Sequence, residues 1–495
     1  MTKMISCKHL PLDPKLIAFP YQKAAVEAIR DKEYAAVFHE QGLGKTKIAI
    51  DIALYWLKKE SVDSVLIITK KTLIQNWFRE FKAHADIRPV ILTQSRKDNY
   101  YVFNGPSRTI IANYEILCSE FDRFKLFLKS RDVGVILDES AKIKSPSTKI
   151  AKAFHSLSTL FKRRIIMTGT PVANRPYDIW SQIWFLDQGN SLGNDFALFK
   201  SKVDLPKSPL LDEQHLFETS LQGIWPSISS FAIRETKNSG IISLPDKVFH
   251  TITADWSPKQ YDMYLGYKED LKAIVIKEGI PAEDKAENVL KRLLRLIQIA
   301  SNPKLVDESY VEEPGKLREL IHLVENIRRK NQKCIVWSCF TENIDWLANE
   351  LKHYGSCKIH GKMSIVDRNR SVDNFMSNGD TNILVATPGA AKEGLTLTVA
   401  NSAIFYDRSF SLDDYLQAQD RIHRISQKQI CHVYNILMQD SIDQWIDILL
   451  LAKHMAAKLA QGDISQEIFQ KEMPYSFQEM LCDILGINKF KNRGD

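Results

Sequence analysis

Three short stretches of this chain carry groups suited to phosphate chemistry. The first is EQGLGKTKIAI (40–50), which follows an apolar run ending at Phe38 and opens a helix near Lys45. Gly42, Leu43 and Gly44 make a turn in which backbone N–H groups can approach phosphate oxygens, and a helix N-terminus adds positive potential. Lys45 can reach β- and γ-phosphates, and the Thr46 hydroxyl can ligate Mg²⁺. The eight-residue form of this loop has Gly where this chain has His39. Alone, the stretch also fits an ordinary helix start whose lysine snorkels outward. The second stretch, VGVILDES (133–140), is an apolar strand run ending in two carboxylates. At a strand's C-terminal end Asp138 can hold Mg²⁺ and Glu139 can orient an attacking water. An isolated acidic pair is usually a solvated loop; a phosphate loop upstream turns the pair into the mark of a nucleoside triphosphatase that uses ATP and Mg²⁺. The third stretch is QAQDRIHRIS (417–426). Arg421 and Arg424 are spaced i, i+3 and are expected to share one helical face, from which they can stabilise charge on a transferring phosphoryl group. Ordinary ion pairs on an exposed helix are the plainer reading of these two arginines.

The elements that must position these groups are visible as short β-branched runs alternating with helix-period stretches, twice over. The first set of expected strands is Tyr34–Phe38, Ser64–Thr69, Thr109–Asn113, Val133–Leu137 and Arg164–Met167. The second is Cys334–Ser338, Ser356–Ile359, Asn382–Ala386, Ala403–Tyr406 and His432–Ile436. Such alternation predicts an α/β protein of parallel sheets with crossover helices, and the phosphate loop with the acidic pair makes it a P-loop nucleoside triphosphatase in class. Residues 187–309 read as a mainly helical insertion without a strand ladder, with a helix over 284–300. The acidic segment VDESYVEEPGKL (306–317), with Pro314 and Gly315, is expected to be a hinge. The expected divisions are 1–186, 187–309, 310–450 and a helical tail at 451–495.

With 495 residues, 44% hydrophobic and 26% charged, the chain is neither disordered nor a disulfide scaffold. Its longest apolar runs fall short of the roughly 18 residues of a membrane span, so no membrane role is expected. Seven scattered cysteines suit a reducing compartment. Cys334, Cys339, Cys357 and His360 depart from zinc-finger spacing and read as packing residues. The net charge of +7 is unevenly spread: residues 1–200 hold 31 Lys+Arg against 20 Asp+Glu, and the remainder 36 against 40. A basic first part fits a polyanionic partner, or simply a solvated basic surface.

In order along the chain, these motifs resemble a superfamily-two helicase-like motor of the Swi/Snf-type DNA translocase family. FPYQKAAVEAI (19–29) is similar to the family's adenine-recognition segment, with Gln22 in the matching place. LIITKKTLIQNWFREF (66–81), IIANYEIL (110–117) and IIMTGTPVANRPYDIWS (165–181) resemble its DNA-contacting and coupling motifs. ATPGAAKEGLTLTVANSAIFYD (386–407) and QAQDRIHRISQ (417–427) match its last two, which brings Gly394 and Gln417 into the nucleotide-binding set. The acidic motif continues Ser140-Ala141 where Ala-His is usual, Ser409-Phe410-Ser411 replaces Trp-Asn-Pro, and Ser426 replaces Gly. DESAKIKS, NRPYDIW and GAAKEGLT look closer to the annealing-helicase branch than to chromatin remodellers.

The resemblance implies two RecA-like lobes that bind ATP and Mg²⁺ and track along double-stranded DNA, forked DNA included. Lys70, Asn76, Asn113, Lys144 and Thr387 are the implied nucleic-acid contacts. A fork-remodelling or annealing helicase, or an RNA helicase, is the rival within the class; an ATP-gated nucleic-acid clamp that recruits a partner is the rival outside it. A monomeric motor is expected, with a protein partner supplying specificity. Its expected setting is the cytoplasm of a bacterium or phage host, or the nucleus if the source is eukaryotic.

Overall fold

The computed structural model describes residues 12–205, 211–241, 244–278, 287–391, 395–475 and 485. They form two compact units. The first takes in the described residues to Leu205, those of 212–241, and Leu459–Asp463; the second takes in Leu211, those of 244–458 and those from 464 on.

The first unit is built on seven strands: β1 (Tyr34–Val37), β2 (Ser64–Thr69), β3 (Val90–Ile91), β4 (Thr109–Asn113), β5 (Val133–Asp138), β6 (Arg163–Met167) and β7 (Ala232–Ile233). They pair in the order β3-β4-β2-β5-β6-β1-β7, parallel throughout. Every residue of β2, β4 and β5 is buried, as near-continuous Val/Ile/Leu runs require when helices cover both faces. Trp56, from the helix Lys45–Lys58, and Trp77 and Phe81, from the helix Ile74–His84, complete the core beside Ile67, Ile111, Ile136 and Ile165. Register decides what lies together: Met167 pairs with Val37 on one side and Asp138 on the other, while Thr69 pairs with Asn113. The phosphate loop after β1, Thr168-Gly169 after β6, Asp138-Glu139 at the end of β5, Lys70 after β2 and Asn113 at the end of β4 therefore share one edge. That is the carboxyl edge, where open α/β sheets bind ligands.

The second unit holds β8 (Lys247–Ala254), β9 (Cys334–Trp337), β10 (Ser356–Ile359), β11 (Ile383–Ala386), β12 (Ser402–Phe405) and β13 (Cys431–Met438), in the order β10-β11-β9-β12-β13-β8, again all parallel. Its core packs Trp337, Leu384, Phe405 and Val433.

The ten expected strands all form, to within two residues at their ends. Three others were not expected. β3 and β7 are two residues each, too short to show alternation, and β8 lies within 187–309, where no strand was anticipated. Outside β7 and β8, the described part of that stretch is helices joined by turns and loops, including Glu287–Ser301 where 284–300 was expected. Pro314 and Gly315, expected in a hinge, instead start the helix Gly315–Arg329, with Pro314 as its N-cap. The Gly315 amide donates to the buried Gln260 side chain at 2.9 Å, and Lys316 is wholly buried, so this end of the segment is fixed by packing. Of the expected helical tail, Ile442–Ala460 and Gln466–Glu472 are helices; 476–484 and 486–495 lie outside the described residues.

Candidate nucleotide site and adjoining cleft

Gly44 is the N-cap of the helix Lys45–Lys58 and sits in the left-handed region at φ 70°, which glycine adopts without strain. The loop is tied down from the helix Pro20–Ile29: Tyr21 Oη donates to the Leu43 carbonyl at 2.9 Å, and Gln22 Nε2 reaches the same oxygen at 3.4 Å. Gln22 is buried, and its Oε1 accepts from the Phe19 amide at 3.0 Å. Lys45 curls over the loop, its Nζ donating to the carbonyls of His39 at 2.8 Å and Glu40 at 3.2 Å. Burial lowers the Lys45 pKa, and the facing carboxylates of Glu139 and Asp138 oppose that shift. Gly169 closes the other side. A Cβ there would press on the Gln41 backbone nitrogen at 3.1 Å and stand 3.3 Å from Lys45 Nζ, so the space in front of the lysine exists only because residue 169 has no side chain.

Asp138 is held from three sides. Its Oδ2 accepts from Trp77 Nε1 at 2.7 Å and from Thr69 Oγ1 at 3.0 Å, and its carbonyl accepts from Tyr114 Oη at 2.8 Å. Burial, then the neighbouring Glu139 charge, raises its pKa to about 6, while the two donors pull it back. Glu139 occupies the left-handed region at φ 56°, an unusual place for a glutamate and one found where a side chain must be aimed. Ser140 Oγ donates to Gln182 Oε1 at 2.7 Å, and the Gln182 amide donates to the Pro171 carbonyl at 2.8 Å. The acidic motif and the Thr-Gly-Thr-Pro motif are thus joined by one buried glutamine that carried no signal in the sequence.

A triphosphate and Mg²⁺ fit this chemistry: a glycine loop with a half-buried lysine at a helix N-terminus, the Thr46 hydroxyl at the second helical residue, and the buried Asp138 carboxylate nearby. Two further cations were not anticipated. Arg234 donates to the Phe38 carbonyl at 2.7 Å, and buried Lys237 donates its backbone N–H to Glu40 Oε2 at 2.8 Å. They follow a strand of two residues, with no pattern to mark them.

His39, where glycine is usual, is buried, and burial followed by the charges of Lys45 and Arg234 pushes its pKa down to about 4. Unfolded, an imidazole takes its proton near pH 6.5. Between those values the unfolded chain binds a proton that the folded chain refuses, so stability falls as pH drops through this window, by about 3 kcal/mol at its foot. Urea midpoints measured from pH 7 to 4.5 should decline less in His39→Gln than in the wild type; parallel declines would refute the assignment.

Beside the carboxylates opens a cleft of about 660 Å³ lined by Lys70, Lys71, Asn113, Glu115 and Lys142 among others. Two of the expected nucleic-acid contacts, Lys70 and Asn113, are in its wall; the Asn113 side chain also caps the helix Tyr114–Ser119 by accepting from the Ile116 amide at 2.9 Å. The other three are elsewhere. Asn76 is half-buried on the helix Ile74–His84, and Lys144 pairs with Asp178 at 3.1 Å. Thr387, in the second unit, follows β11 and accepts from the Ala390 amide at 3.3 Å.

In the second unit Gln417 is buried, its Nε2 donating to Asp413 Oδ1 at 2.6 Å. Arg421 and Arg424 do not share a helical face. The helix Leu412–Gln419 ends at Asp420, and both arginines lie in the turns that follow. The Gln427 side chain holds those turns: its Nε2 donates to the carbonyls of Ile422 and of Ala400, just before β12, each at 3.0 Å. The buried Arg421 side chain reaches the Leu395 carbonyl at 3.3 Å, and Arg424 reaches Thr396 Oγ1 at 2.7 Å. Gly394 lies outside the described residues. Among the described residues no cluster of three metal-ligating side chains forms, and no helix is long and apolar enough to cross a membrane.

The model of the SNF2-related domain matches residues 21–305, and that of the helicase conserved C-terminal domain matches 315–426. The chain belongs to the SNF2-related family. An uncharacterized ATP-dependent helicase of Mycoplasma genitalium is 28% identical over 449 residues, covering 88% of this chain and 42% of the relative. The ISWI chromatin-remodeling complex ATPase ISW1 of Saccharomyces cerevisiae is 24% identical over 453 residues, covering 86% and 39%. This SNF2-related chain spans about two-fifths of the length of these relatives. Among solved structures, the Sulfolobus solfataricus SWI2/SNF2 ATPase core in complex with dsDNA is 25% identical at a TM-score of 0.42, covering 93% of this chain and 98% of that one.

Proposed function

We propose that this chain is an ATP-dependent motor that translocates along double-stranded DNA. The observation that carries the proposal is the shared sheet edge, with the phosphate loop, Asp138-Glu139 and a lysine-lined cleft side by side. A pure nucleotide switch has no use for a basic cleft against its water-orienting carboxylate. Family membership supports the same reading, as do relatives named as ATP-dependent helicases.

In this account Gln22 and the loop 42–46 bind the nucleotide, Lys45 neutralises charge on its phosphates, and Thr46 and Asp138 hold Mg²⁺. The metal supplies charge neutralisation at the transferring phosphoryl group. Glu139 orients a water for in-line attack on the γ-phosphorus; the bond to the bridging oxygen breaks, and the water's proton leaves by way of the carboxylate. Arg421 and Arg424 remain candidates for stabilising the charge that develops. Lysines that meet phosphates without reading bases would make binding strongly salt-dependent and indifferent to sequence.

Displacement of a third strand from a triplex-bearing duplex tests movement directly. The motor should release the third strand only with hydrolysable ATP. Stimulated hydrolysis without release would favour the clamp, and release from forks alone would favour the fork-remodelling reading.

A further inference from the structure

Lys70 belongs to two neighbourhoods at once. Its Nζ lies 3.9 Å from Glu139 Oε2, and the same side chain lines the cleft with Lys71, Asn113 and Lys142. The partners are 28% and 19% exposed, so the pair is loose enough to exchange rather than locked in a core. Asp138, next to Glu139, is anchored by Trp77, Thr69 and Tyr114, so an exchange at Glu139 moves a side chain and leaves the backbone in place. Lys142, in the same wall, is engaged by Glu115 at 3.1 Å and has no such link to the carboxylates.

We propose that Lys70 is a latch on Glu139, opened when a nucleic-acid phosphodiester enters the cleft and takes the lysine for itself. Paired with an ammonium, the carboxylate is drawn toward the cleft and is a poorer acceptor for the attacking water. A phosphate oxygen competes for that ammonium, and Glu139 is then free to turn to its water. The proposal rests on the ATPase reading above and adds how DNA would switch it on.

The test is steady-state hydrolysis by the full chain with and without a blunt duplex oligonucleotide. Lys70→Ala and Lys70→Gln should raise the rate without DNA by about two- to fivefold, as expected for loss of a partly exposed pair, with the KM for ATP unchanged. The stimulation ratio should shrink by the same factor, and Lys70→Arg, which keeps the charge, should keep the low basal rate. Lys162→Ala, which removes an exposed lysine paired with Asp132 before β6, should match the wild type. A residue that served only the fold, or only DNA affinity, would not speed the basal reaction. Basal rates unchanged or lowered in both Lys70→Ala and Lys70→Gln would overturn the latch while leaving the ATPase reading intact. A wild-type chain that hydrolyses no ATP under any condition would overturn both.

Discussion

Glu139→Gln is expected to stop ATP turnover while the nucleotide still binds. The substitution keeps size and shape and removes only the negative oxygen that accepts a proton from the attacking water. Positioned proton acceptors of this kind contribute about 10²–10⁴-fold in rate, so hydrolysis should fall by at least the lower figure. Binding should survive because the triphosphate's partners lie elsewhere: the loop after β1, Lys45, and Asp138, which Trp77 and Thr69 hold independently of residue 139. Phosphate release and the affinity of a fluorescent ADP analogue, measured on the same preparation, separate the two effects. A variant that hydrolyses at the wild-type rate would remove Glu139 from the role of base. One that loses nucleotide affinity in proportion to its rate would make it a binding residue instead.

Lys316→Met is expected to cost the second unit about 3–5 kcal/mol of stability, the usual result of stripping one partner from a buried ion pair. Lys316 is wholly buried, its Nζ 2.6 Å from Asp443 Oδ2 and 3.0 Å from the Tyr406 carbonyl. Asp443 is nearly as buried and also accepts from the Met438 amide at 2.9 Å. Without the lysine that carboxylate keeps its desolvation and loses its counter-charge. Lys316→Met combined with Asp443→Asn should recover most of the loss, because the double variant leaves no unpaired charge. Chemical unfolding followed by a probe in the second unit reads the cycle. Additive losses would mean that the two side chains are not coupled.

The fold was legible where residue types act alone. Val/Ile/Leu runs buried on both faces mark central strands, and both parallel sheets follow from them. Glycine and lysine at fixed spacing marked the phosphate loop, and Asp138-Glu139 was readable because the strand before it is so apolar. What stayed hidden depends on partners distant in sequence. β8 pairs with β13 along eight residues, yet its alternation is blurred because most of its own side chains are half-buried or exposed. Trp77 reads as core, and is core, but its indole N–H also grips Asp138 from 61 residues away. Lys316 reads as a linker lysine until Tyr406, just after β12, and Asp443, in the helix Ile442–Ala460, surround it with oxygens. Arg421 and Arg424 read as helical because i, i+3 spacing is all that sequence offers, whereas the helix stops at Gln419 and the Gln427 side chain, bonded to the Ile422 and Ala400 carbonyls, holds the turns that carry them.

The most direct test of the central claim is steady-state ATP hydrolysis with duplex DNA, single-stranded DNA, forked DNA and RNA at one fixed salt concentration. A duplex-DNA motor predicts the strongest stimulation from plain duplex, fading as salt rises. Hydrolysis that is indifferent to all four nucleic acids, or that responds to RNA alone, would contradict it.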